Sequence, residues 1–230
     1  VFNVDDLQKA DLTEELFEEN RMKMVDSHLI PRGIIDQKVL RSMLTVPRHL
    51  FVPDQLKEFA YEDRPLPIAA GQTISQPYIV AMMVQALELK TPARVLEIGT
   101  GSGYGAAVLA KIATAVFTVE RHQSLADEAR QRLADLNYDN IKIKVGDGSE
   151  GWVEEAPFEG IVVAAAAPDI PRTLLNQLAT CGYLVIPVGE REWQELLRIR
   201  RNPDGSYITE NLGAVRFVPL IGKEGHPVPY

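Results

Sequence analysis

The sequence predicts an α/β fold: a doubly wound, mostly parallel sheet with helices on both faces, antiparallel strands toward the C-terminus, and helical additions at the N-terminus. Three observations carry this expectation. Short apolar runs alternate with helical patterns from Arg94 onward, the alternation that builds parallel sheets through helical crossovers. Glycines cluster directly after the first of those runs. The 230 residues are 46% hydrophobic, enough for one sizeable core. The expected division is an acidic, helical extension over 1–32, one main domain over 33–222 and a tail over 223–230.

The elements follow in order. Asp11 to about Ile30 reads as a helix, with Asp11 as N-cap and Glu14 placed to close a capping box. Asp36 to about Leu44 reads as a second, because Val39, Leu40, Met43 and Leu44 share one face; Val46-Pro47 ends it, since a residue before proline is pushed out of the helical region. Prolines, glycines and charges from Phe51 to Pro77 read as a long ordered linker, and Ile79 to Leu87 as a helix. Strands are expected at Val95–Ile98, Ala115–Val119, Ile141–Val145, Ile161–Ala165 and Tyr183–Val188, separated by helices from about Tyr104 to Ile112, Leu125 to Leu136 and around Leu174–Leu178. Beyond them, Leu196–Arg201 and Tyr207–Val218 read as antiparallel strands joined at Asn202-Pro203-Asp204-Gly205.

Composition excludes several function classes. No apolar stretch approaches the roughly 20 residues of a membrane-spanning helix, and the N-terminus begins acidic, so neither membrane nor leader is expected and the cytoplasm is the expected compartment. Cys181 is the single cysteine, which rules out an internal disulfide and a thiolate-rich zinc site; no metal is expected. A formal net charge of -8 argues against nucleic-acid binding. Much of that charge is local: Asp5, Asp6, Asp11, Glu14, Glu15, Glu18 and Glu19 face only Lys9 before Arg21. A monomer is the expected state.

The chemistry centres on Glu97-Ile98-Gly99-Thr100-Gly101-Ser102-Gly103, where the first strand hands over to a helix, the place at which doubly wound sheets bind nucleotides. Alternate glycines permit positive φ and close approach of a ligand to the backbone. Gly101-x-Gly103-x-x-Ala106 also satisfies the dinucleotide fingerprint, so a nicotinamide or flavin enzyme is a rival. Three acids at successive strand ends favour S-adenosylmethionine instead. Glu97 is placed to attract the ammonium of its methionine moiety, whereas a dinucleotide presents phosphate there. Glu120 is placed to accept from both ribose hydroxyls, a feature common to both readings. Asp147, in Gly146-Asp147-Gly148, is placed to accept from the adenine amino group, with Gly148 leaving room for the base.

Upstream, Gly71-Gln72-Thr73-Ile74-Ser75-Gln76-Pro77, preceded by Pro65-Leu66-Pro67-Ile68, resembles the signature segment of the protein-L-isoaspartate (D-aspartate) O-methyltransferases. Val46-Pro47-Arg48-His49-Leu50-Phe51-Val52, Ala165-Ala166-Ala167-Pro168, Pro187-Val188-Gly189 and Phe217-Val218-Pro219-Leu220 are similar to further blocks of that family, and the resemblance runs from Gly33 to Gly222. It implies a Rossmann-like class I methyltransferase domain. It also implies methyl transfer from S-adenosylmethionine, leaving S-adenosylhomocysteine, to the free α-carboxyl of L-isoaspartyl residues in damaged proteins and peptides, the first step of repair through a succinimide.

The resemblance places the active-site serine at Ser75, whose hydroxyl would donate to one acceptor oxygen while the other attacks. Ser75 also suits the cap of the helix beginning near Pro77. Gln72, Thr73 and Ile74 are expected to fold over the cofactor as a lid, with Gly99, Thr100, Gly101, Ser102 and Gly103 cradling it. Val215 and Arg216 are expected to line the peptide groove, although an exposed strand arginine is more often solubilising. A carboxylate is already ionised at neutral pH, so no strong base is needed, and His28, His49, His122 and His226 are scattered over different elements. Two further readings are a relative that methylates aspartate in a dedicated peptide precursor and a catalytically idle module that senses the cofactor.

Overall fold

A computed structural model describes residues 13–90 and 92–227. Its centre is a seven-stranded sheet in the order β5-β4-β3-β6-β7-β8-β9, formed by β3 (Arg94–Ile98), β4 (Ala115–Glu120), β5 (Ile141–Val145), β6 (Phe158–Val163), β7 (Leu178–Glu190), β8 (Trp193–Arg201) and β9 (Tyr207–Val215). β5 through β7 are parallel, and β7, β8 and β9 run antiparallel. The chain winds outward from β3 to β4 and β5, then returns to lay β6 on the other side of β3. The crevice at the C-terminal end of β3 is therefore the topological switch point where ligands bind in open α/β sheets.

Strand alternation divides the core. Leu96 and Ile98 of β3 join Phe117 and Val119 of β4 in one apolar cluster, whereas Val95 and Val116 belong to the other. The second cluster takes in the helical layer of α1 (Glu14–Met24), α2 (Gln37–Thr45), α3 (Pro77–Ala86) and α4 (Tyr104–Ala110). α5 (Gln123–Asp135) and α6 (Arg172–Asn176) complete the crossovers.

Several boundaries differ from the sequence expectation. α1 is capped by Thr13, whose hydroxyl accepts from Leu16 N at 3.2 Å; the expected cap, Asp11, lies outside the described residues, as do Asp5, Asp6 and Pro229. The helix does not run on to Ile30. It widens into a π turn at Val25–Leu29 and tightens into a 3₁₀ turn at Ile30–Arg32, which Pro31 opens and Gly33 ends in the left-handed conformation. α1 packs on the body through Phe17, stacked on the buried His49 ring at 3.9 Å. The expected strand to Val218 stops at Val215: Gln194 turns its side-chain amide to the backbone of Phe217, and Val218 O accepts from Ala166 N. The linker holds a two-stranded hairpin, β1 (Leu66–Pro67) with β2 (Thr73–Ile74), bent through Ala69–Gly71.

Asp36 caps α2, accepting from Lys38 N at 2.7 Å and Val39 N at 3.4 Å, and Gln85 of α3 fixes the entry by accepting from Ile35 N and Asp36 N. Asp36→Ala is expected to lower the unfolding free energy by about 1 kcal/mol, read as a fall in the urea midpoint with an unchanged slope.

Candidate cofactor and acceptor clefts

Two clefts meet above the C-terminal ends of β3 and β6. Gln72, Thr73, Ile74, Ser75, Glu97, Gly99, Thr100, Gly101, Ser102, Glu120 and Gly148 line the first. Val215 and Arg216 line the second, together with Arg32 and Tyr78. Thr73, Ser75, Ala164 and Val218 belong to both walls. Gly103 and Asp147 line neither. The glycines of the loop all take positive φ, at 93° for Gly99, 52° for Gly101 and 88° for Gly103. Gly103 serves as the left-handed N-cap of α4 and backs onto Leu133 of α5.

Glu97 lies deep in the wall of the first cleft. It shares the face of Val95, pointing into the helical layer, and is only 3% exposed. Its register partner across β4 is Thr118, whose hydroxyl donates to Glu97 Oε2 at 2.7 Å. Burial pushes the Glu97 carboxyl up to about 8, with the Glu120 charge adding to the rise and the Thr118 bond opposing it. Glu120 sits at the end of β4 and is tied by backbone donors: Gly101 N reaches Oε2 and His122 N reaches Oε1, each at 2.9 Å. A carboxylate deep in an apolar cleft and a second fixed at its rim suit a ligand with a cation at one end and vicinal hydroxyls at the other.

Ser75 is held by its carbonyl, which accepts from Arg48 Nη2 at 2.8 Å, while Arg48 Nε donates to Ala60 O at 2.7 Å. The Arg48 guanidinium is fully buried against the Tyr104 ring, 4.7 Å from its centroid. Ser75 does not cap α3: Gln76 occupies that position and Pro77 opens the helix. Among the described residues no group of the protein bonds the Ser75 hydroxyl.

The profile of the Protein-L-isoaspartate(D-aspartate) O-methyltransferase (PCMT) family matches residues 19–225. The chain belongs to this family. It is 57% identical over 205 residues to the protein-L-isoaspartate O-methyltransferase of Pelotomaculum thermopropionicum, covering 89% of this chain and 90% of that one. It is 55% identical to protein-L-isoaspartate O-methyltransferase 1 of Syntrophobacter fumaroxidans, covering 91% and 97%. Among solved structures, a putative protein-L-isoaspartate O-methyltransferase from Plasmodium falciparum in complex with S-adenosyl-L-homocysteine superposes with a TM-score of 0.73 at 30% identity, covering 89% and 98%. A second protein-L-isoaspartate O-methyltransferase superposes with a TM-score of 0.77 at 25% identity; the match covers 90% of this chain and 66% of that one. The S-adenosylmethionine-dependent, Rossmann-like methyltransferase fold expected from the sequence is thus the fold of this family member.

Within this methyltransferase, Asp147 is tied to its own loop and to the C-terminal segment. Its Oδ1 accepts from Ser149 N and Oγ at 2.8 and 2.7 Å, and Oδ2 accepts from Lys223 N at 2.7 Å. The carboxylate thereby pins the segment whose Val218, Pro219, Leu220 and Ile221 wall the first cleft. Tyr104, Arg121 and His122 also line that cleft, and Arg32 the second. Sequence reasoning missed all of these as site residues. The usable signals are the polar residues directly after Glu120 and the Phe217–Leu220 block.

Replacing Glu97 tests the deep acid. Between its unfolded value near 4.5 and its folded value of about 8, the folded protein keeps a proton that the unfolded chain has lost, so this group erodes stability as pH rises through that window. Glu97→Gln is therefore expected to gain on the wild type by up to about 1.4 kcal/mol per pH unit there, measured by denaturation of ligand-free protein at pH near 5 and near 8, while S-adenosylhomocysteine binding is lost.

Proposed function

We propose that this methyltransferase acts on the free α-carboxyl of L-isoaspartyl residues in damaged proteins and peptides, with Ser75 as the residue that orients the acceptor. The observation that carries the proposal is the position of Ser75 in the wall common to both clefts. The first cleft, with its two acids and apolar walls, fits S-adenosylmethionine, held by Glu97 at the ammonium and Glu120 at the ribose. S-adenosylmethionine supplies a methyl group activated on a sulfonium. The second cleft receives the acceptor chain; Arg32 and Arg216 are the charged residues of its wall, which suits a carboxylate.

The remaining work belongs to the protein. The acceptor carboxyl is ionised at neutral pH, so no side chain has to remove a proton. The Ser75 hydroxyl donates to one carboxylate oxygen and leaves the other facing the first cleft. Arg48 fixes the Ser75 backbone, which limits the wandering of that donor and supplies the alignment on which a displacement depends. Thr73 and Ile74 cover the junction and exclude water. After transfer, the neighbouring main-chain amide nitrogen of the substrate attacks the ester carbonyl and methanol leaves, giving a succinimide whose hydrolysis returns some normal aspartate. Only the first step needs the enzyme.

In this reading the catalytic domain spans 33–222, between an extension over 1–32 and a tail over 223–230. The protein works as a monomer in the cytoplasm and binds neither nucleic acid nor membrane. No described helix is long and apolar enough to cross a membrane. A relative dedicated to one peptide precursor is less well supported, because most residues of the acceptor cleft wall are apolar, which favours little sequence preference.

Labelled methyl transfer to an isoaspartyl peptide with none to its aspartyl twin is the expected result; equal labelling of both would overturn the proposal. Ser75→Ala is expected to lower kcat at least about tenfold, the order of one lost transition-state hydrogen bond, with S-adenosylhomocysteine affinity within about twofold of wild type by calorimetry. Lost cofactor affinity would make Ser75 a cofactor residue instead.

A further inference from the structure

A buried polar chain runs beneath the cofactor loop and ends on Glu97. The Thr118 hydroxyl has one proton, so when Glu97 is ionised and takes that proton on Oε2, the 2.7 Å contact between Thr100 Oγ1 and Thr118 Oγ1 has Thr100 as donor. Both threonines are sealed from solvent, Thr118 completely and Thr100 at 3% exposure. With Glu97 ionised the chain is thus directional: loop hydroxyl to strand hydroxyl to carboxylate. It occupies Oε2. The other oxygen, Oε1, lies against the α-carbon of Gly105, where an added Cβ would come within 2.2 Å of it, and among the described residues it accepts from no donor.

From this the geometry points to Thr118, backed by Thr100, as the positioning residue of the cofactor site: it locks Glu97 so that Oε1 alone is offered to the cofactor's ammonium. The inference rests on the cofactor reading given above. Protons balance on binding: ligand-free Glu97 carries one carboxylic proton, the incoming ammonium keeps its own protons and donates one hydrogen bond to Oε1, and the acid proton leaves to solvent. The surroundings agree. α3 and β6 bring only apolar side chains to this end of the cleft, namely Val80, Met83, Val84 and Val162. Of the titratable groups packed nearby, Glu120 on β4 disfavours a second negative charge, while Tyr104 on α4 has its hydroxyl on Met43 and its ring on Arg48. Burial accordingly holds the carboxyl protonated through neutral pH. Thr118 thereby acts through Glu97 and touches no reacting atom.

Calorimetric titration of S-adenosylhomocysteine into the intact protein, in buffers of low and high ionisation enthalpy, tests this. At pH about 7 the wild type is expected to release close to one proton per ligand bound, falling to a small fraction at pH about 9. Thr118→Val, nearly isosteric, is expected to bind at least about tenfold more weakly at pH 7 and to shift the pH dependence of affinity upward, and Thr118→Ser to restore both. Binding without proton release, or Thr118→Val with wild-type affinity and proton count, overturns the inference and leaves the cofactor reading standing. No binding by the wild type overturns the cofactor reading itself. Should the valine variant fail to fold, the wild-type proton count and the serine variant still decide.

Discussion

The parallel register of β3 against β4 is the constraint on which the site depends. It sets Glu97 beside Thr118 and carries Gly99 to the strand end, where its N–H continues the ladder to Val119 O at 2.9 Å. A slip of one residue would turn Glu97 onto the opposite face, into the cluster of Leu96, Ile98 and Phe117. An acid in that apolar layer would be both unpaired and useless. Apolar packing on both sheet faces therefore enforces the one alignment in which a buried carboxylate has a hydroxyl partner and an open cleft before it.

A second dependency links the acceptor side to the helical layer. Ser75 has no regular element of its own; it follows the short β2 strand and precedes α3. Its position is set by Arg48, which reaches it from a turn 27 residues away and bridges to Ala60 as well. Burying a guanidinium is costly unless its protons are matched. Two carbonyls and the face of Tyr104 provide part of the compensation here, Nη1 has no hydrogen-bond partner among the described residues, and burial pushes the guanidinium down from its ordinary value. The segment carrying the donor is thus tied to the same ring that lines the cofactor cleft, which couples the geometry of the two clefts.

The strand-and-helix order, the loop glycines and the three acids at strand ends were legible because each depends on local periodicity or on a residue type with few alternatives. Asp36 before α2 and Pro77 at the start of α3 were likewise readable as boundaries. Other features were not. Thr13 displaced Asp11 as the expected cap because one residue shifts the start of a helix without changing its apolar face. The strand end at Val215 depends on the Gln194 side chain, a contact across 23 positions that no window of sequence contains. The bond from Lys223 N to Asp147 illustrates the same limit, since the two residues stand 76 positions apart.

By itself the sequence determined the class of fold, the place of the cofactor loop and the residue types available to it, because strand alternation, glycine freedom and carboxylate charge are local properties. Its length of resemblance also determined the family. Only the tertiary structure decided which face of β3 the Glu97 loop entry serves, that Thr118 rather than a backbone group supports it, and that Ser75 stands in a wall shared by two clefts. Those outcomes are set by register and packing between segments far apart in the chain, and the upward push on the Glu97 carboxyl follows from them because burial is a property of the assembled layers and of no single segment.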